Sequence, residues 1–156
     1  MVSSADVAML IRRGGVIKNV EGETLKDVYD YVAARAKLPE GVTAEVFSEE
    51  LYMREQVLST AVGNSIAIPH PRRTLFKDPE DERIIVCYLK QPMDMHAPDS
   101  FSVHTMFIVL SSSAQSHLGV LSSLAKIFRN KEFVRLLSMQ PDAEQLIRKI
   151  STLGLS

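Results

Sequence analysis

The sequence predicts an α/β fold, a single mixed β-sheet flanked by helices on both faces. Three observations lead there. Apolar residues at helical spacing alternate along the chain with short β-branched runs, rather than segregating from them. No linker, internal repeat or low-complexity segment divides the alternation. The chain has 156 residues, 46% hydrophobic and 24% charged, enough for one domain over 1–156 with a real core and too few for two ordinary ones. The pattern leaves the strand order open.

The elements follow in order. Val7, Met9, Leu10 and Ile11 mark a short helix that ends at Gly14-Gly15, and Val16–Val20 reads as a strand. Thr24 caps a helix carrying Leu25, Val28, Tyr29, Val32, Ala33 and Ala36. Pro39-Glu40-Gly41 breaks the chain. Thr43 then caps a helix with Val46, Phe47, Leu51 and Leu58 on its buried face and Glu49, Glu50, Arg54 and Glu55 off it. Residues 59–65 are small and polar, a loop. Ile66-Ala67-Ile68 reads as a strand stopped by Pro69-His70-Pro71, and residues 72–83 as a charged loop. Ile84–Leu89 and Val103–Leu110 are two further strands, with a proline-containing loop at 91–100 between them. The last third is helical. One helix starts near Ser113, a shorter one is capped by Asn130, and a third has Pro141 in its first turn.

Composition removes several functions. The charge is −1, from 18 basic and 19 acidic residues, without the basic footprint of a nucleic-acid binder or a polybasic membrane patch. Cys87 is the only cysteine, so a disulfide framework within the chain and a cysteine-rich zinc site are both ruled out. It lies inside the apolar run at 84–89 and reads as a small buried hydrophobe rather than a nucleophile. The N-terminus lacks a basic stretch followed by an apolar one, and no apolar run approaches the ~18 residues of a membrane span. A cytoplasmic protein is expected. No His pair brackets a glutamate at helical spacing, no phosphate loop is followed by lysine, and no serine elbow occurs. The expectation is therefore no metal and no cofactor.

The chemistry is left to four histidines, His70, His96, His104 and His117. An unprotonated imidazole nitrogen is a competent nucleophile near neutral pH. Pro69 and Pro71 stiffen the chain around His70 and place it at a strand end, where ligand sites of α/β sheets gather. Gly63 and Asn64 allow a tight turn with outward N–H groups, Ser59 and Thr60 add hydroxyls, and Arg54 adds a positive charge. These are groups suited to a phosphate. The plainer alternative is a surface His-Pro turn behind a polar loop. His117 falls at the start of a helix, where unpaired N–H groups favour an anion; its plain alternative is a partly exposed first-turn residue. His104 reads as a partly buried strand residue and His96 as a solvated loop residue.

The run Leu51-Tyr52-Met53-Arg54-Glu55, Ser59-Thr60-Ala61-Val62-Gly63-Asn64, Ile66-Ala67-Ile68-Pro69-His70-Pro71 resembles the signature of the IIA components of the bacterial phosphotransferase system. The resemblance is to the fructose/mannitol/nitrogen-regulatory (type 2) family. Val103–Phe107 is similar to that family's central strand, and Ser116-His117-Leu118 to its second-histidine helix; the likeness runs from residue 6 to residue 152. It implies that His70 accepts a phosphoryl group from a phosphohistidine on the small carrier HPr or its nitrogen-branch counterpart. His117 would contact the phosphohistidine. Arg54 would balance charge, Ser59 or Thr60 would donate a hydrogen bond, and the Gly63-Asn64 turn would help bind phosphate. One departure is visible: Ser65 stands where the family usually has glycine. Two roles follow, a regulatory protein of the nitrogen branch or a fructose/mannitol-type carrier passing phosphate to a IIB cysteine. The absence of transporter modules from this sequence favours the regulatory one.

Overall fold

Two apolar runs make the centre of the sheet because neither offers a polar face to water. The computed structural model describes residues 2–154. In it, β4 (Arg83–Met93) and β5 (Val103–Leu110) pair antiparallel, and residues 84–89 and 105–110 are all buried. A strand buried on both faces reads as a continuous hydrophobic run. The other strands are β1 (Val16–Val20), β2 (Ala61–Gly63) and β3 (Ile66–Ala67), and the sheet order is β1-β4-β5-β3-β2. β1 runs parallel to β4 and β3 parallel to β5, while β2 is antiparallel to β3.

Alternation along the strands divides the core in two. Ile84, Val86, Tyr88, Phe107 and Val109 face the helices α1 (Ser4–Gly14), α4 (Ala114–Ile127), α5 (Lys131–Leu137) and α6 (Ala143–Ser151). Ile85, Cys87, Leu89, Met106 and Ile108 face α2 (Leu25–Arg35) and α3 (Ala44–Val57). Cys87 is fully buried, and burial pushes its thiol well up, as an inert hydrophobe requires. The helix starts expected at Thr24, Thr43, Ser113 and Asn130 are N-caps, each accepting a backbone N–H three residues on.

Four local readings need correction. β2 occupies part of the expected loop at 59–65, because Ala61 and Gly63 turn inward and pair with Ala67 and Ile66. β4 continues to Met93, which pairs with Val103 beyond an irregularity in register; exposed Pro92 sits in that stretch, where no ladder donor is needed. Asp142, not Pro141, starts the last helix, in a capping box with Gln145. On α3, Glu50 is buried while Val46 and Leu58 are exposed. The buried carboxylate is held by Arg72 and Arg73 from a distant loop, which helical spacing does not reveal.

Candidate functional site

Strand direction builds the site. β3 and β5 are parallel, so the segments that follow them leave the same edge of the sheet. His70 follows β3. Val109 N–H donates to the Pro69 carbonyl at 2.9 Å, holding the chain against β5 up to the residue before His70. Ser111 and the start of α4, with His117 in its first turn, follow β5. β2 is antiparallel to β3, so the end of α3, carrying Arg54, reaches that same edge. Three stretches far apart in sequence thus converge on one cleft of about 240 Å³, lined among others by Arg54, His70, Arg72, Arg73, Ser113 and His117.

The two imidazoles meet with ring centroids 4.3 Å apart and planes tilted by 56°. His70 Nδ1 lies 3.0 Å from the Ile68 carbonyl. A carbonyl only accepts, so Nδ1 carries the hydrogen and Nε2 carries the free lone pair. Burial holds His70 below the ordinary histidine value; the Ile68 bond opposes this, Arg54 adds to it and Glu55 opposes it. His117 is pushed down to about 4 by burial, then by His70 and Arg54. Both rings are therefore neutral at pH 7. His117 Nδ1 has Ser111 Oγ at 3.5 Å, and its Nε2 is buried with no hydrogen-bond partner. An orphaned polar atom beside a nucleophile marks a place where a ligand atom can complete the set.

The remaining expected residues are placed unevenly. Arg54 lines the cleft, with Nη1 donating to the Leu58 carbonyl at 2.7 Å, where it satisfies the end of its own helix. Ser59, Thr60, Gly63 and Asn64 are not among the lining residues. Ser59 Oγ donates to the Met95 carbonyl. Thr60 gives both its N–H and its hydroxyl to Glu55, at 2.6 and 2.7 Å. The turn at Gly63-Asn64 does hold an anion, but that anion is Asp99, which accepts Asn64 N–H at 2.8 Å. These four residues shape the segment leading to His70 rather than offering free donors to the cleft. His104 is half-buried, with Nδ1 2.7 Å from Thr105 Oγ1, and His96 is exposed. Among the described residues no group of three or more His, Cys, Asp or Glu could hold a metal ion.

In the sequence Glu55 stands out only as part of the Arg54-Glu55 signature, and Glu50, Arg72 and Arg73 carry no role there, yet all four shape the site. Glu55 ties Tyr29 Oη to Thr60, and the Thr60 carbonyl accepts Ile68 N–H, so α2, α3 and the strand before His70 share one network. Arg72 and Arg73 follow Pro71 directly, and that adjacency was the available signal.

The model of the family described as "Phosphoenolpyruvate-dependent sugar phosphotransferase system, EIIA 2" matches residues 9–152. The chain belongs to this EIIA family. A Nitrogen regulatory protein of Pseudomonas aeruginosa is 31% identical over 141 residues, covering 88% of this chain and 89% of its own length. The mannitol-specific EIICBA component of Pasteurella multocida is 22% identical over 69% of this chain, but that match spans only 17% of its own length. The crystal structure of Nitrogen Regulatory Protein IIA-Ntr from Neisseria meningitidis superposes on this EIIA chain with a TM-score of 0.70 at 25% identity, covering 86% of this chain and 91% of that one. Among the described residues no helix is long and apolar enough to cross a membrane.

Proposed function

We propose that this EIIA chain is a cytoplasmic phosphoryl carrier of the nitrogen-regulatory kind, accepting phosphate on His70 Nε2. The donor is a phosphohistidine on HPr or its nitrogen-branch counterpart. The observation that carries the reading is the pairing of His70 and His117 in a cleft also lined by Arg54, with Nδ1 of His70 engaged and Nε2 free. The P–N bond of the donor breaks as the new bond forms at Nε2. Nδ1 keeps its hydrogen, so the ring gains the positive charge that the donor ring gives up, and the Ile68 carbonyl faces that charge. Transfer between two imidazoles is nearly balanced, so the protein contributes position and charge compensation rather than a strong acid or base.

His117 supplies the contact to the transferring group. A Ser111 hydroxyl donating to Nδ1 puts the ring hydrogen on Nε2, which then donates to a phosphoryl oxygen. Arg54 offsets the negative charge. Ser59 and Thr60 keep a part in the site through the position of the Ile68–His70 segment, and Gly63 and Asn64 through the turn before it. Residues 1–156 act as one unit, without metal or cofactor. The nitrogen-regulatory reading is favoured over sugar transport because the similarity to Nitrogen regulatory proteins spans nearly the whole of both chains. In that role the phosphorylation state of His70 decides which protein the chain binds.

The test is incubation with phosphorylated HPr and, separately, with the phosphorylated nitrogen-branch carrier. Label should appear on His70, with the ³¹P shift of an Nε2 adduct, and His70→Gln should take none. If neither carrier labels the wild type, the carrier reading fails. Onward transfer to a IIB cysteine with phosphorylation of a sugar would instead establish the transport reading.

A further inference from the structure

Two of the three guanidiniums lining the cleft are already engaged by an anion. Arg72 Nη2 lies 3.3 Å from Glu50 Oε2 and Arg73 Nε 3.4 Å from the same oxygen. Arg72 Nε reaches Glu50 Oε1 at 3.4 Å, and Arg72 N–H donates to the Glu50 carbonyl at 3.1 Å. These contacts are long, since good charge-assisted hydrogen bonds of this type measure about 2.7–2.9 Å. The Glu50 side chain is 7% exposed, whereas those of Arg72 and Arg73 are 50% and 58% exposed. One buried carboxylate therefore holds two half-exposed cations at long range, and those cations border the His70 cleft.

We propose that Glu50 is a competing anion that holds Arg72 and Arg73 away from an empty His70 and releases them in part to a phosphoryl group on it. The inference rests on His70 being the phosphoryl acceptor. Its physical basis is competition. A phosphoryl group brings up to two negative charges and three strong acceptor oxygens into a cleft bordered by the same arginines. Glu50 is anchored on α3, and it accepts at non-ideal distance. The arginine side chains are long and half in water, so rotating one toward the phosphoryl group costs little packing. Arg54 is already tied to the Leu58 carbonyl and His117 is neutral, so Arg72 and Arg73 are the cations whose partner can change. Glu50 thereby acts as a positioning residue. It weakens the grip of the cleft on phosphate, which keeps the group transferable, and it prevents two unpaired guanidiniums from collecting free phosphate before transfer.

The test loads phosphate chemically, so that no protein partner is needed. Phosphoramidate transfers its phosphoryl group to His70 Nε2 with loss of ammonia, and ³¹P NMR then follows protonation of the phosphoryl group with pH. A nearby cation favours the dianion and lowers this midpoint. Exposed ion pairs are worth up to roughly a factor of five in an equilibrium, so the expected shifts are about half a pH unit. Glu50→Gln, which frees both arginines, should lower the midpoint. Arg72→Gln and Arg73→Gln, both at exposed positions, should raise it. In the Glu50→Gln background each arginine substitution should raise it further than in the wild type, because no competitor is left. A purely structural role for Glu50 would leave the midpoint unmoved. Equal midpoints in all six proteins, with His70 phosphorylated in each, overturn the inference while leaving the carrier reading intact. Failure of phosphoramidate and of both carriers to label His70 removes the carrier reading, and the inference falls with it.

Discussion

His70 and His104 stand on neighbouring parts of one sheet and have much in common. Both are half-buried, both have Nδ1 against an oxygen, and burial holds both below the ordinary histidine value. The difference lies in what surrounds them. His70 is packed against a second imidazole and opens on a cleft lined by three arginines. His104 lines a cavity of about 210 Å³ with Tyr88, Lys90 and Gln140, and burial alone accounts for its lowered value. A depressed histidine is therefore not a site by itself. What sets His70 apart is a second imidazole with an unpartnered nitrogen and three arginines around one cleft.

The widest separation comes from removing each ring. His70→Gln should abolish label transfer from a phosphorylated carrier, while His104→Gln should leave both rate and extent within about twofold of wild type. Autoradiography of the two variants with one donor suffices. Substantial labelling of the first, or loss in the second, would break the comparison. Next in size is the partner imidazole. His117→Ala keeps the nucleophile and removes the buried donor, and loss of one positioned donor to developing charge costs about 10²-fold in rate. Rapid-quench transfer should show that loss with the final extent less affected than the rate.

How much of this was legible in the sequence depends on the distance over which each feature is determined. Caps at Thr24, Thr43, Ser113 and Asn130 act within three residues, and each could be read locally. The buried strands at 84–89 and 103–110 are equally plain, because both are mostly apolar, with only His104 and Thr105 breaking the second. β2 was hidden, since three small residues carry no period and become a strand only by pairing with Ile66 and Ala67. The site divides the same way. His70, His117 and Arg54 stand out from local texture and family resemblance, and all three line one cleft. The fate of Ser59 and Asn64 depended on Met95 and Asp99, more than thirty residues away, and no local pattern reports such partners. Glu50 reads as a solvated helix charge until Arg72 and Arg73 fold onto it.

Acid should separate the histidines by a smaller margin. On the proposed role phosphate uptake requires an unprotonated His70, so transfer should hold as pH falls through 6.5 and decline only below the lowered His70 value. Stability behaves differently. In the unfolded chain these rings protonate near the ordinary histidine value of about 6.5, while His117 in the folded chain resists protonation down to about 4. Between those limits the unfolded state binds more protons, so stability falls as pH drops through 6.5, and the part owed to His117 levels off near 4. Urea midpoints at pH 7.5 and pH 5 check this. His104→Gln should flatten part of the stability slope without touching the pH profile of labelling, while His117→Gln should change both.

The smallest effect concerns the turn that leads into β3. Asn64 has φ of 56° and Ser65 φ of 64°, two successive residues in the left-handed region, as a tight two-residue hairpin between β2 and β3 demands. Asparagine tolerates that region, whereas a serine Cβ costs about 1 kcal/mol there. The strain is retained because the Ser65 carbonyl accepts from the N–H groups of His104 and Thr105, at 2.9 and 3.2 Å, which locks the turn onto β5. That bond uses only backbone, so Ser65→Gly keeps it and removes the strain. The variant should be more stable by about 1 kcal/mol, less whatever glycine's extra freedom in the unfolded chain takes back. Its labelling rate should equal wild type, since the cleft is lined by other residues. A large change in transfer with unchanged stability would mean that Ser65 acts through its hydroxyl, and would move the boundary of the site from the cleft into the turn.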